Sequence, residues 1–140
     1  MKKIFEENVL YFALIQALMA ILGSLYFSEI LKIPPCDLCW YQRIVMYPLA
    51  LIIPVGIMLK DKKLPFYVLP LSLTGVLIAF YQNLLQLKII PQSISPCKLG
   101  VSCAQIDFQI ASFITIPFLS LLAFAFISLC MVFFIRLQKK

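Results

Sequence analysis

The chain has 140 residues, 63% of them hydrophobic and 13% charged, with a mean hydropathy of +1.00; this leaves too little polar surface to coat a water-soluble globule. Its formal net charge of +6 raises the question of a nucleic-acid or other anionic partner. No basic stripe runs through the sequence, however, and no nucleic acid is expected, because membrane topology and lipid headgroups account for most of the excess. The composition points to an all-α integral membrane protein, a single domain over residues 1–140, built as a four-helix transmembrane bundle with two extracytoplasmic loops.

In chain order, charge-free runs cover 8–28, 44–59, 64–87 and 108–135, with 21, 16, 24 and 28 residues. A helix needs roughly 20 apolar residues to cross the hydrocarbon core. The first run follows Lys2, Lys3, Glu6 and Glu7. Its length, its glutamates and the lack of a small-residue cleavage site distinguish it from a secretory leader, so a membrane helix over about 8–28 is expected. The second run is short by about a turn, and its helix is expected over about 40–60, reaching back through Trp40, Tyr41, Gln42 and Arg43. That puts Arg43 near the membrane boundary. The connection Lys60–Lys63 is so short that the third helix, about 64–87, must run antiparallel to the second; the fourth is expected over about 108–135. Lipid tolerates no unpaired backbone amides, and the alternating strands of roughly ten residues that build barrels are missing.

Several residues inside these runs carry structural expectations. Pro54, Pro70 and Pro117 are expected to kink their helices, and Gln16, Gln82 and Asn83 to bond one helix to another. Tyr26, Trp40, Tyr67 and Tyr81 read as interfacial or packing aromatics. Tyr47 suits packing or a pocket wall equally. Cys130, deep in the fourth run, reads as a small buried hydrophobe.

Orientation follows from the cations. Lys2, Lys3, Lys60, Lys62, Lys63, Arg136, Lys139 and Lys140 fall on one side; Lys32, Arg43, Lys88 and Lys98 fall on the other. The richer side is retained in the cytoplasm, so both termini are expected there. Cys36 and Cys39 then lie in the first outer loop, at the mouth of the second helix, and Cys97 and Cys103 in the second outer loop. Paired thiols facing an oxidising compartment normally form disulfides. Four thiolates could instead ligate zinc, but the compartment is wrong for it and the chain has no histidine, so no metal is expected. Inert bridges are the other alternative. For the first pair, a C-x-x-C bridge closes too small a loop to stabilise much, and that spacing is typical of thiols that cycle.

Local context sharpens the reading of the first pair, which follows Pro34 and Pro35. Proline suits the start of a helix, so Cys36 is expected at a helix N-terminus, where the dipole favours a thiolate. At ~100° per residue, Cys39, Arg43 and Tyr47 share one face with Cys36. Arg43 could stabilise the Cys39 thiolate or hold the oxygen of an electron acceptor; the alternative is an anchor snorkelling to the headgroups.

The stretch Cys36 to Arg43, C-x-x-C-W-Y-Q-R, with Pro35 before it and Tyr47 and Pro48 after it, resembles the DsbB family of quinone-linked thiol oxidases, and is most similar to the short BdbC form. The C-x5-C of Cys97 and Cys103 and the segment Ile114 to Ser120 are also similar. The resemblance implies a disulfide-generating oxidoreductase of a prokaryotic cell membrane, with Cys36, Cys39, Cys97 and Cys103 as its redox-active residues. It implies that a thioredoxin-like oxidase of the DsbA or BdbD type, outside the membrane, is reoxidised through Cys97 and Cys103. Electrons would then pass through Cys36 and Cys39 to a quinone, menaquinone or ubiquinone, by way of a thiolate–quinone charge-transfer complex, with Arg43 beside the ring. Such quinone-linked systems keep a periplasm oxidising. Longer members separate the second pair widely; here five residues intervene, which leaves the order of exchange open. No thioredoxin domain is fused, so the partner is expected to act in trans. The rival class is a non-enzymatic scaffold or small transporter whose cysteines never change redox state.

Overall fold

Helix boundaries are set by where charge and proline stop the apolar runs. The computed structural model describes residues 1–95, 97, 109–111 and 114–139. Helix α1 spans Lys2–Leu25 and continues as a π-helical segment over Tyr26–Ile30; α2 spans Asp37–Met58, α3 Leu64–Gln86 and α4 Ile116–Lys139. All four are long and apolar enough to cross a membrane, with window hydropathies of 1.4 to 2.7. Their packing forms a ring: α1 touches α2 and α4, and α3 touches the same two helices from the other side. The chain is a multi-pass membrane bundle, as expected.

The boundaries differ from the sequence reading in instructive ways. Helix α1 begins six residues before the run at 8–28, because Lys2, Lys3, Glu6 and Glu7 mark the edge of the hydrocarbon and not the edge of the helix. Helix α2 extends back to Asp37, which supplies the missing turn. Helix α4 begins at Ile116, not near 108, and the described residues before it are extended, with Gln109–Ala111 (β1) paired antiparallel to Ile114–Thr115 (β2). Pro117 explains the late start. It sits in the first turn of α4, where a backbone N–H has no helical acceptor, so it opens that helix and does not kink its middle. Pro48 and Pro54 lie inside α2 and Pro70 inside α3, each helix running continuously through them.

Three helices end in the same manner. Lys32, Lys60 and Lys88 have φ of 52°, 50° and 57°. At Lys60 and Lys88 the following amides close back onto the last turn: Asp61 N–H donates to Gly56 O at 3.0 Å and Ile89 N–H to Leu84 O at 3.2 Å. This left-handed cap usually takes glycine. Lysine here accepts a conformational cost and sets a cation beside the negative end of the helix.

The core lies between the four helices and includes Leu49, Ile53, Phe124, Ile127 and Met131, all essentially buried. Leu51, Leu77 and Leu129 point outward at 71%, 68% and 68% exposure, as lipid-facing residues should. Gly75 of α3 lets α4 approach closely, since a Cβ there would stand 2.3 Å from the Phe124 ring. One turn further, Ser128 donates at 2.9 Å to the hydroxyl of Ser72, a small-residue contact of the kind that holds membrane helices together. These contacts hold α3 against α4, while Cys36 and Cys39 lie at the start of α2, which packs on α3 from the other side.

Candidate active site

Cys36 is the residue that precedes α2, with extended backbone (φ −74°, ψ 168°), and its carbonyl accepts the Trp40 N–H at 3.1 Å. Cys39 is in the first turn. Both are free thiols, with sulfurs 2.9 Å apart. The expectation that Cys36 favours a thiolate is not met in this state: its thiol is pushed well above the ordinary range, first by the hydrogen bond to Cys39 and then by burial. A shared proton and the loss of water outweigh the helix dipole at this sulfur.

The nearest polar support comes from across the bundle. Gln82 of α3, 2% exposed, directs its amide nitrogen at both sulfurs, 3.2 Å from Cys36 Sγ and 3.3 Å from Cys39 Sγ. Its carbonyl end accepts from Gln42 Nε2 at 2.7 Å. Gln82 therefore does bond one helix to another, as expected. Its contact with the thiols had no signal in the sequence, because it joins residues 46 and 43 positions apart. Asn83 differs from expectation: it bonds back to Ala79 O of its own helix at 2.7 Å.

Arg43 lies six residues into α2, about 9 Å along the helix axis from its first residue. Its guanidinium donates from Nε to Ser24 Oγ and from Nη2 to Ser24 O, both at 2.8 Å, and stands 5.5 Å from the centre of the Trp40 ring. Ser24 lies two residues before the wider π turn of α1. Nothing in the sequence singled it out, yet it is what holds the arginine inward.

A cavity of about 340 Å³ opens beside these groups, walled by α1, α2 and α4. Cys39, Gln42, Arg43, Met46 and Tyr47 line it from α2; Gln16, Met19, Ala20, Gly23 and Ser24 from α1; Leu119, Ser120, Ala123 and Phe124 from α4. Cys39, Arg43 and Tyr47 thus share one face, as the helical spacing predicts. Gln16 faces the cavity. The cavity is apolar on most sides, with one thiol and one guanidinium on the same wall. That donor set fits a flat, largely apolar molecule carrying carbonyl oxygens.

Cys97 is disulfide-bonded, and its N–H donates to Ser95 Oγ at 3.1 Å. It packs against the apolar cluster of Cys36, Leu38 and Leu85, to which Cys39, Ile78 and Tyr81 also belong. Two of the four expected redox residues are thus a thiol pair, and a third is packed on the same cluster; Cys103 falls outside the described residues. Cys130 is half-buried on α4, against the main core and away from these groups.

Comparison with known proteins shows what the whole chain is similar to. The family model described as "Disulfide bond formation protein DsbB" matches residues 6–134. The chain is 47% identical to Disulfide bond formation protein C of Bacillus subtilis (strain 168) over 122 residues, 87% of this chain and 88% of that protein. It is 40% identical to the "Probable disulfide formation protein" of Coxiella burnetii (strain CbuK_Q154) over 143 residues, 99% of this chain and 95% of that one. No solved structure matches the chain.

Proposed function

The chain belongs to the DsbB family of disulfide bond formation proteins, and on that premise we propose that it is a membrane thiol:quinone oxidoreductase that reoxidises an extracytoplasmic thioredoxin-like oxidase. Family membership makes it a disulfide-generating membrane protein that exchanges with a thiol–disulfide partner. The observation that carries the finer reading is the shared wall of the cavity: Cys39 stands on it beside Arg43, and Cys39 is also hydrogen-bonded to Cys36.

In this reading the reduced partner attacks Cys97 in its disulfide, and Cys103 is released as a thiolate. Cys103 then attacks Cys36 in the oxidised Cys36–Cys39 bridge, forming a Cys36–Cys103 bond and leaving Cys39 as the thiolate. The partner's second thiolate attacks the partner sulfur held on Cys97, so the partner leaves with its own disulfide and Cys97 is freed as a thiolate. Cys97 then attacks Cys103 in the Cys36–Cys103 bond, the Cys97–Cys103 disulfide reforms, and the electron pair remains on the Cys36 and Cys39 sulfurs. Quinone is the electron-accepting substrate and takes up two electrons and two protons on becoming quinol. Arg43 and Gln42 would hold its carbonyl oxygens, and the apolar side chains of α1 and α4 would enclose its ring. Cys39 gives up the electron pair and rejoins Cys36.

The test uses purified protein, a reduced thioredoxin-like dithiol protein and added quinone. Oxidation of the dithiol should require quinone, and Cys97→Ser should block that transfer while Cys36 and Cys39 are still oxidised by quinone. Oxidation at the same rate without added quinone would overturn the quinone dependence, and none with either menaquinone or ubiquinone analogues would return the protein to the scaffold class.

A further inference from the structure

Opening the Cys36–Cys39 bridge creates an anionic sulfur in a bundle that lacks bulk water, and such an anion needs a donor on it. Arg43 commits Nε and Nη2 to Ser24. Backbone amides at the start of α2 also reach the sulfurs, but the side-chain donor from outside the pair is Gln82 Nε2, whose two hydrogens suffice for one bond to each. The opposite end of that amide is pinned, since Gln82 Oε1 accepts from Gln42 Nε2 at 2.7 Å. A thiolate only accepts, so the amino end must face it, and Gln42 enforces that orientation. Both glutamines are buried, at 2% and 7% exposure.

We propose that Gln82, oriented by Gln42, is the positioning residue that receives the Cys39 thiolate released when the pair is opened. The inference rests on the proposed function for its chemistry. In the step concerned, an incoming thiolate bonds to Cys36 Sγ, the Cys36–Cys39 bond breaks, and its electron pair leaves on Cys39 Sγ with no net change in oxidation. Gln82 stabilises the leaving group; it neither gains nor loses a proton.

The test reads thiolate directly, in reduced protein without quinone, as the pH profile of Cys39 alkylation by iodoacetamide, mapped by mass spectrometry. Gln82→Leu keeps the volume and removes the donor. The alkylation rate at neutral pH should fall about tenfold or more, as expected for losing a hydrogen bond to a charged group, while the plateau reached at high pH stays unchanged. Gln82→Glu puts only acceptors, or a second anion, beside the sulfur and should fall further. Gln42→Leu keeps Gln82 but frees it to rotate, and should lose part of the same rate; it carries the test if the Gln82 variants do not accumulate. An unchanged profile in folded Gln82→Leu, or in Gln42→Leu where that variant carries the test, would overturn the proposal and leave the glutamines as a link between helices. A lowered plateau would do so as well, since it reports altered access and not thiolate. Quinone-dependent turnover of the unmutated protein tests the underlying function separately.

Discussion

Arg43→Lys separates charge from geometry at the cavity wall. The guanidinium is fixed by two 2.8 Å bonds to Ser24 and by the Trp40 ring 5.5 Å away. An ammonium keeps the charge but cannot reproduce the planar fork, so it can hold Ser24 through one acceptor or turn toward a quinone oxygen. A hydrogen bond from a charged group contributes about 1.5–3 kcal/mol. Losing one at the low end predicts roughly a tenfold fall in kcat/KM for quinone at ~1.4 kcal/mol per decade. Arg43→Ala also removes the charge, whose effect on a nearby thiolate at roughly 0.3–2 kcal/mol adds a further factor of at most about thirty. Steady-state kinetics with a soluble quinone analogue measures both, and Ser24→Ala closes a double-mutant cycle. If Ser24 works by holding Arg43, its replacement should cost several-fold in the parent protein and nothing in Arg43→Ala. Equal Ser24 effects in the two backgrounds would refute the tether, and unchanged quinone kinetics in Arg43→Ala would reduce the arginine to a membrane anchor.

Three further outcomes follow from the same geometry. A membrane-impermeant thiol reagent added outside intact cells after reduction should label Cys36, Cys39, Cys97 and Cys103 and spare Cys130; labelling of one pair alone would overturn the orientation. Cys36 is held protonated by Cys39 and by burial, so its alkylation in the reduced protein should stay slow across neutral pH and rise only as pH climbs past the ordinary thiol range. Cys39→Ala removes the larger cause and should speed Cys36 alkylation at pH 8; an unchanged rate would assign the effect to burial alone. Gly75→Ala drives a methyl into the Phe124 ring, where a Cβ would be 2.3 Å away, and should destabilise the α3–α4 contact by about 1–3 kcal/mol, read as a lowered thermal midpoint in detergent.

The number of helices was legible because a bilayer demands a long apolar run for each crossing, and a run without charge is visible in one dimension. Their ends were less legible. Lysines close α2 and α3 in a left-handed turn that composition does not announce, and Pro117, read as a kink, turns out to open α4. At the site, Cys39, Arg43 and Tyr47 share a face because they lie on one helix at spacings of four, and such periodicity is written in the sequence. Gln82 and Ser24 were not legible as neighbours of the thiols and of Arg43, since both reach across from other helices and only packing brings them there. Cys36 was misjudged in its charge for a related reason: the helix terminus is local and readable, whereas the shared proton and the buried surroundings belong to the assembled bundle.

The cavity takes its walls from α1, α2 and α4, and among its described lining residues none comes from α3. Yet α3 supplies the amide that meets the sulfurs. In the proposed function, thiol chemistry and acceptor recognition therefore share α2 but draw on different neighbours, α3 for the sulfurs and α1 and α4 for the acceptor, with Cys39 between them. On that proposal, a chimera carrying a relative's α1 and α4 should take on that relative's acceptor preference while keeping this chain's sulfur reactivity.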